Sequence, residues 1–198
     1  MPTPLPTHYT GPGLVDLQVN GYAGIDFNGS EAVFNAETFH GVREKMAARG
    51  VMISLPTFIT ASPERLEANC RAYAQLVEGD AELAAAFPKL HIEGPFISTV
   101  EGPRGAHPLE HAITPADAPD LMKTLQEASG NRLGIVTLAP ELPGAQALIA
   151  WCADHGIVAA SGHTNATPEE ISAGVDAGLT MSTHLGNGSH QVLPRMEN

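Results

Sequence analysis

Ile157-Val158-Ala159-Ala160-Ser161-Gly162-His163-Thr164-Asn165-Ala166-Thr167-Pro168-Glu169-Glu170 holds one complete building unit of this chain. Ile157–Ser161 is a short apolar run of strand length. Thr167 is a helix N-cap, Pro168 fits the first helical position, and Glu170 stands where it completes a capping box. Between strand and helix sits a single histidine, His163. Ser182-Thr183-His184-Leu185-Gly186-Asn187-Gly188 repeats the pattern of an apolar run delivering a histidine to a loop. His91-Ile92-Glu93-Gly94-Pro95-Phe96 is an earlier version in which the delivered residue is a carboxylate.

Outward from these units, the same alternation covers the chain. Strand-like runs fall at Leu14–Asn20, Val51–Thr60, Leu90–Ile97, Leu133–Leu138, Ile157–Ser161 and Leu179–His184. Helix openings are expected at Ser62-Pro63, with Leu66, Cys70, Tyr73 and Val77 as its buried stripe, at Thr114-Pro115, and at Thr167-Pro168. Gly50, Gly130, Gly156 and Gly178 stand where helices hand over to the next strand. Strand–helix repetition of this kind builds a parallel sheet covered by helices. It fits an open doubly wound sheet or a (β/α)8 TIM-like barrel, of which about six of eight units would be present. Residues 1–12 read as a proline-rich tail and 13–198 as one domain.

The bulk properties exclude some partners. The chain has 198 residues, 43% hydrophobic and 16% charged, with a net charge of −12, a pI near 5.0 and a mean hydropathy of −0.03. No basic stripe is available for nucleic acid, and the charge is wrong for an anionic membrane surface. No apolar run is long enough to span a bilayer. Cys70 and Cys152 form no CxxC pair and fall in helical apolar patterns. They read as free buried thiols of a cytoplasmic protein.

The polar residues carry the function. In a parallel α/β barrel the C-terminal ends of the strands hold the chemistry. Glu93, His163 and His184 all fall there, and a carboxylate in a barrel mouth is costly unless paired or metal-bound. One Glu and two His make a nitrogen and oxygen donor set suited to one divalent ion. Such an ion polarises a carbonyl and lowers the pKa of water.

The runs GLVDLQVNGYAGIDFN, HIEGPFIS, RGAHP, GHTNAT and THLGN resemble the motifs of the N-acetylglucosamine-6-phosphate deacetylase family, of the amidohydrolase superfamily. The likeness extends over nearly the whole chain in the family's order. It favours the barrel over the open sheet and implies an enzyme that removes the N-acetyl group of an amino-sugar phosphate. Glu93, His163 and His184 would be its metal ligands, for zinc or alternatively iron, cobalt or manganese. His107 would contact the N-acetyl carbonyl, Asn187 and Gly188 the sugar, and Arg195 the phosphate, for which a guanidinium fork is apt. Gln18 and Asn20 stand where many amidohydrolases carry His-x-His, so one metal is expected, with Gln18 bonding the attacking water. A homodimer is also implied.

The chain departs from the family pattern in three places. The family's catalytic aspartate belongs to the last barrel strand, and no aspartate here fits that position. Either the 198 residues are part of a longer protein or the chain is not a working enzyme, and alone they are expected to have little or no activity. The His184–His190 stretch lacks the family's usual aromatic before Asn, and the Glu93–His107 connection is longer. The family's small β-sandwich has no N-terminal counterpart here. Two competing functions are an amidohydrolase acting on another amide or a cyclic imide, and a non-catalytic paralogue that binds metal or sugar phosphate.

Overall fold

The computed structural model describes residues 11–186. Most of the expected tail at 1–12, together with Asn187, Gly188 and Arg195, lies outside that range.

The described residues form eight strands: β1 (Leu14–Val19), β2 (Gly21–Tyr22), β3 (Ile25–Asp26), β4 (Val51–Ile59), β5 (Leu90–Glu93), β6 (Leu133–Leu138), β7 (Val158–Ser161) and β8 (Met181–Ser182). The helices are α1 (Ala36–Ala47), α2 (Pro63–Gly79), α3 (Ala81–Ala86), α4 (Leu121–Ala128), α5 (Ala145–Asp154) and α6 (Pro168–Ala177), with short 3-10 turns at Glu31–Val33 and Leu109–His111. Six strands form one sheet in the order β1-β4-β5-β6-β7-β8, every neighbouring pair parallel. β2 and β3 form a separate antiparallel hairpin, which the sequence reading missed.

The six expected strands are all found, with shorter ends. The third stops at Glu93 because Gly94 turns to φ +90 and Pro95 has no N–H for the ladder. The last narrows to Met181–Ser182. Ser62 caps α2 as expected, accepting from the Arg65 N–H, and Thr167 with Glu170 forms the full capping box of α6. The expectation at Thr114-Pro115 is corrected. Thr114 and Asp117 bond each other's backbone and side chains in a closed turn, and α4 begins only at Leu121, beyond Pro119.

One face of the sheet carries the core. Phe39, Tyr73, Leu83, Phe87, Leu125 and Ile149 from the helices and loops pack there against Phe58, Ile92 and Val136. Tyr73 donates to the Phe87 carbonyl at 2.8 Å, so its buried hydroxyl is satisfied. Cys70 and Cys152 are both free and buried, on α2 and α5.

The other face is concave. Leu55, Ile135 and Ala160 are buried together there with Met181 against them. Above them runs a polar chain. His91 Nδ1 donates to the Leu17 carbonyl at 3.0 Å, His91 Nε2 meets Thr137 Oγ1 at 2.7 Å, and Thr137 Oγ1 meets Thr183 Oγ1 at 2.8 Å. With Nδ1 donating, neutral His91 accepts from the Thr137 hydroxyl, which in turn accepts from Thr183. Leu17 and His91 are separated by the whole of β4, and Thr137 and Thr183 by β7. In a flat sheet such pairs stand ~9.6 Å apart, beyond the reach of two threonine hydroxyls. The sheet must curl toward this face for the bonds to form.

Thr137→Val keeps the shape of that chain but leaves the His91 Nε2 and the Thr183 hydroxyl without a partner. A buried polar group left unmade costs about 1–3 kcal/mol. Urea unfolding of this variant is expected to show a loss of that size, and an unchanged midpoint would contradict the hydrogen-bond chain.

Candidate functional site

The C-terminal edge of the sheet gathers titratable side chains around one carboxylate. Glu93 is the last residue of β5 and is only 2% exposed. Its Oε1 lies 3.0 Å from His163 Nε2 and 2.9 Å from His184 Nε2. His107 joins from the loop after β5, its Nε2 3.1 Å from His163 Nε2. The donor atoms of Glu93, His107 and His163 all lie within 4.8 Å of one another.

The two strand-end histidines arrive by the same local device. His163 follows β7 and His184 follows β8, and both have positive φ, +50 and +55. Side chains other than glycine adopt this region at a cost of order 1–3 kcal/mol, and only where the surroundings hold them there. Here the left-handed step turns the rings back over the strand ends toward Glu93. His163 is held at three points. Its Nδ1 donates to the Pro103 carbonyl at 3.0 Å, its carbonyl accepts from the Ser98 N–H at 2.9 Å, and its Nε2 is left facing Glu93.

Charge explains the remaining geometry. Burial disfavours the Glu93 carboxylate, but the hydrogen bond and positive charge of His163, with His107 and His91 behind, push its pKa down to about 2. Burial also opposes a charged His163, yet Glu93 and the Pro103 carbonyl raise its pKa above the usual value. Burial, and then the neighbouring His163 charge, lower His107 to about 4. The His107 nitrogen and the Glu93 oxygen that face His163 Nε2 require something positive between them, a proton or a metal ion. With Nδ1 committed to a carbonyl, deprotonated His163 presents its Nε2 lone pair to the centre, the tautomer a metal ligand needs. The donor set therefore fits a divalent cation.

The sequence-expected residues fall unequally. Glu93, His107, His163 and His184 come together. Gln18 lies on β1, where its backbone N–H takes the Asp16 carboxylate at 3.1 Å, and among the described residues its side chain makes no hydrogen bond to the cluster. Three supporting groups escaped the sequence reading. Thr60, the residue after β4, places its hydroxyl 2.9 Å from His107 Nδ1. The Pro103 carbonyl orients His163, and Glu141 binds the loop after it. A polar residue ending the apolar β4 run was the available signal for Thr60. Pro103 offered none, because a backbone carbonyl leaves no trace in a sequence.

A curled parallel sheet with a carboxylate and imidazoles at its C-terminal edge defines an α/β protein whose polar cluster lies where barrel folds carry their sites. No family profile matches the chain. It is 36% identical over 183 residues to N-acetylglucosamine-6-phosphate deacetylase of Caenorhabditis elegans, covering 89% of this chain and 42% of that protein. The human deacetylase is also 36% identical, over 180 residues, with the same coverages. Among solved structures, N-acetyl-D-glucosamine-6-phosphate deacetylase of Mycobacterium smegmatis superposes with a TM-score of 0.80 at 32% identity, covering 94% of this chain and 46% of that one. A mutant of that enzyme in complex with N-acetyl-D-glucosamine-6-phosphate also gives 0.80, at 30% identity, covering 99% and 50%. The chain thus spans under half the length of the curated relatives it matches. Over that span, 89% of its own length, it is similar to N-acetylglucosamine-6-phosphate deacetylases.

The His107 environment yields a pH prediction. Its folded pKa of about 4 lies below the ordinary 6.5, so the native state binds fewer protons than the unfolded chain between those values. Stability is then present above 6.5 and lost as pH falls toward 4. His107→Gln in metal-free protein is expected to flatten the fall of the urea midpoint across this window. An equally steep fall would contradict the depressed pKa.

Proposed function

We propose that this chain supplies the metal-holding part of a TIM-like barrel that hydrolyses the N-acetyl group of N-acetylglucosamine 6-phosphate, giving glucosamine 6-phosphate and acetate. The observation that carries this reading is the convergence of His163 Nε2 and His184 Nε2 on one oxygen of buried Glu93. The names of the relatives support N-acetylglucosamine 6-phosphate as the substrate at that convergence.

Glu93, His163 and His184 would hold one divalent ion, with zinc the first choice and iron, cobalt or manganese alternatives. When bound, the ion would polarise the scissile carbonyl and make water more acidic. His107 is the proposed contact to the acetyl oxygen. Thr60 fixes its Nδ1, its Nε2 faces the same centre, and its low pKa keeps it neutral at pH 7. As a neutral donor it would stabilise developing negative charge without adding a second cation beside the metal. Gln18 is assigned to the attacking water, Asn187 and Gly188 to the sugar, and Arg195 to the phosphate. No helix among the described residues is long and apolar enough to cross a membrane.

His184 meets Glu93 at 2.9 Å and His107 meets His163 at 3.1 Å, so the two compete for the third ligand position. Separate substitutions distinguish them. Glu93→Gln, His163→Ala and His184→Ala are each expected to weaken zinc binding by at least ~10-fold, whereas His107→Ala retains about one zinc per chain. Retention by His184→Ala with loss by His107→Ala would reverse the two roles.

Function is tested by metal content and by acetate release from N-acetylglucosamine 6-phosphate. Both are measured on the chain alone and on the chain joined to the segments that follow in its relatives. About one metal per chain, with acetate released by the longer form, is the expected result. Metal without acetate in either form would overturn the deacetylase reading and leave a different amidohydrolase or a binding protein.

A further inference from the structure

We infer that Glu141 is a positioning residue for His163, holding the ligand loop in the strained conformation that aims the ring at Glu93. The inference rests on the function proposed above, since it gives His163 its metal-binding duty.

Glu141 lies just beyond β6, in a connection fixed at several points. The Ala139 N–H donates to the Phe96 carbonyl at 2.8 Å, and the Leu142 N–H donates to the Ala139 carbonyl at 3.3 Å. The Pro140 carbonyl accepts from Gln146 Nε2 at 2.9 Å. From this anchored position Glu141 reaches across to the next strand–helix loop with both oxygens. Oε2 accepts from the Thr164 hydroxyl at 2.5 Å, and Oε1 accepts from the Asn165 N–H at 2.7 Å. Thr164 Oγ1 also accepts from the Ala166 N–H at 3.0 Å, which carries the constraint to the capped start of α6.

These two residues directly follow His163. A left-handed non-glycine residue persists only where the chain on both sides is held. On the near side, the Gly162 N–H is bound to the Leu138 carbonyl and the His163 carbonyl to the Ser98 N–H. On the far side Glu141 binds the two residues that follow, Thr164 and Asn165. Charge-assisted bonds of this kind are among the stronger hydrogen bonds, and two of them on one carboxylate fix direction as well as distance. Glu141 thus does for the backbone what the Pro103 carbonyl does for the ring.

A structural brace and a positioning residue differ in what they move. Glu141→Ala is expected to weaken zinc binding by about 10–100-fold, the usual effect of losing a group that orients a ligand. Glu141→Gln, whose amide can still accept from the Asn165 N–H and donate to Thr164 Oγ1, restores most of that affinity. Thr167→Ala serves as the control. It removes the α6 cap and lowers Tm, but leaves zinc affinity near that of the unaltered protein. In metal-free protein, Glu141→Ala also shifts the His163 ring resonances and Glu141→Gln returns them. Unchanged zinc affinity in Glu141→Ala, or an equal loss in Thr167→Ala, would overturn the inference. If the unaltered protein takes up no zinc, the proposed function fails, and the metal-free His163 resonances still decide the role of Glu141.

Discussion

A carboxylate buried at the mouth of a curled sheet is the constraint on which the rest of this structure turns. Glu93 is almost fully removed from solvent, and an ionised carboxylate in that position is costly unless positive groups compensate it. The fold answers with imidazoles from three different loops, two of them delivered through backbone conformations that side chains ordinarily avoid. The compensation is strong enough to push the Glu93 pKa below, not above, its ordinary value. What burial would have made neutral is held charged, and a charged, inward-facing oxygen ringed by nitrogen donors is the minimum a cation site requires.

Beneath this cluster the concave face is also polar at one level, through the chain from Leu17 to His91, Thr137 and Thr183. The first and last of these bonds join strands that are not neighbours, so they help set the curvature that brings β5 and β8 close enough for Glu93 and His184 to meet. The apolar layer of Leu55, Ile135, Ala160 and Met181 closes the floor. Around the cluster, groups that never touch its centre fix the ones that do. Thr60 holds His107, the Pro103 carbonyl holds the His163 ring, and Glu141 holds the loop behind it.

Much of this was legible in the sequence. The strand periodicity and the caps at Ser62 and Thr167 are local signals, and they placed six strands and two helix starts where the structure has them. Glu93, His163 and His184 were legible for the same reason, since each lies where an apolar run ends. His107 was not legible from spacing, because a loop residue joins the cluster only through tertiary folding, and the family resemblance alone singled it out. The helix expected at Thr114 failed because its capping chemistry equally closes a turn, and Pro119 prevents the helix from starting early. The positive φ of both histidines has no sequence signature, since glycine is the residue that normally advertises it. Glu141 was hidden for a similar reason, its partners standing 23 and 24 positions away.

The most direct measurement is X-ray absorption at the zinc edge on zinc-loaded protein, with His163→Ala and His184→Ala for comparison. A shell of oxygen and nitrogen donors with scattering from two imidazole rings, losing one ring in each variant, is the expected result. A shell without imidazole scattering, or one that neither variant alters, would show that the convergence on Glu93 is not a metal site.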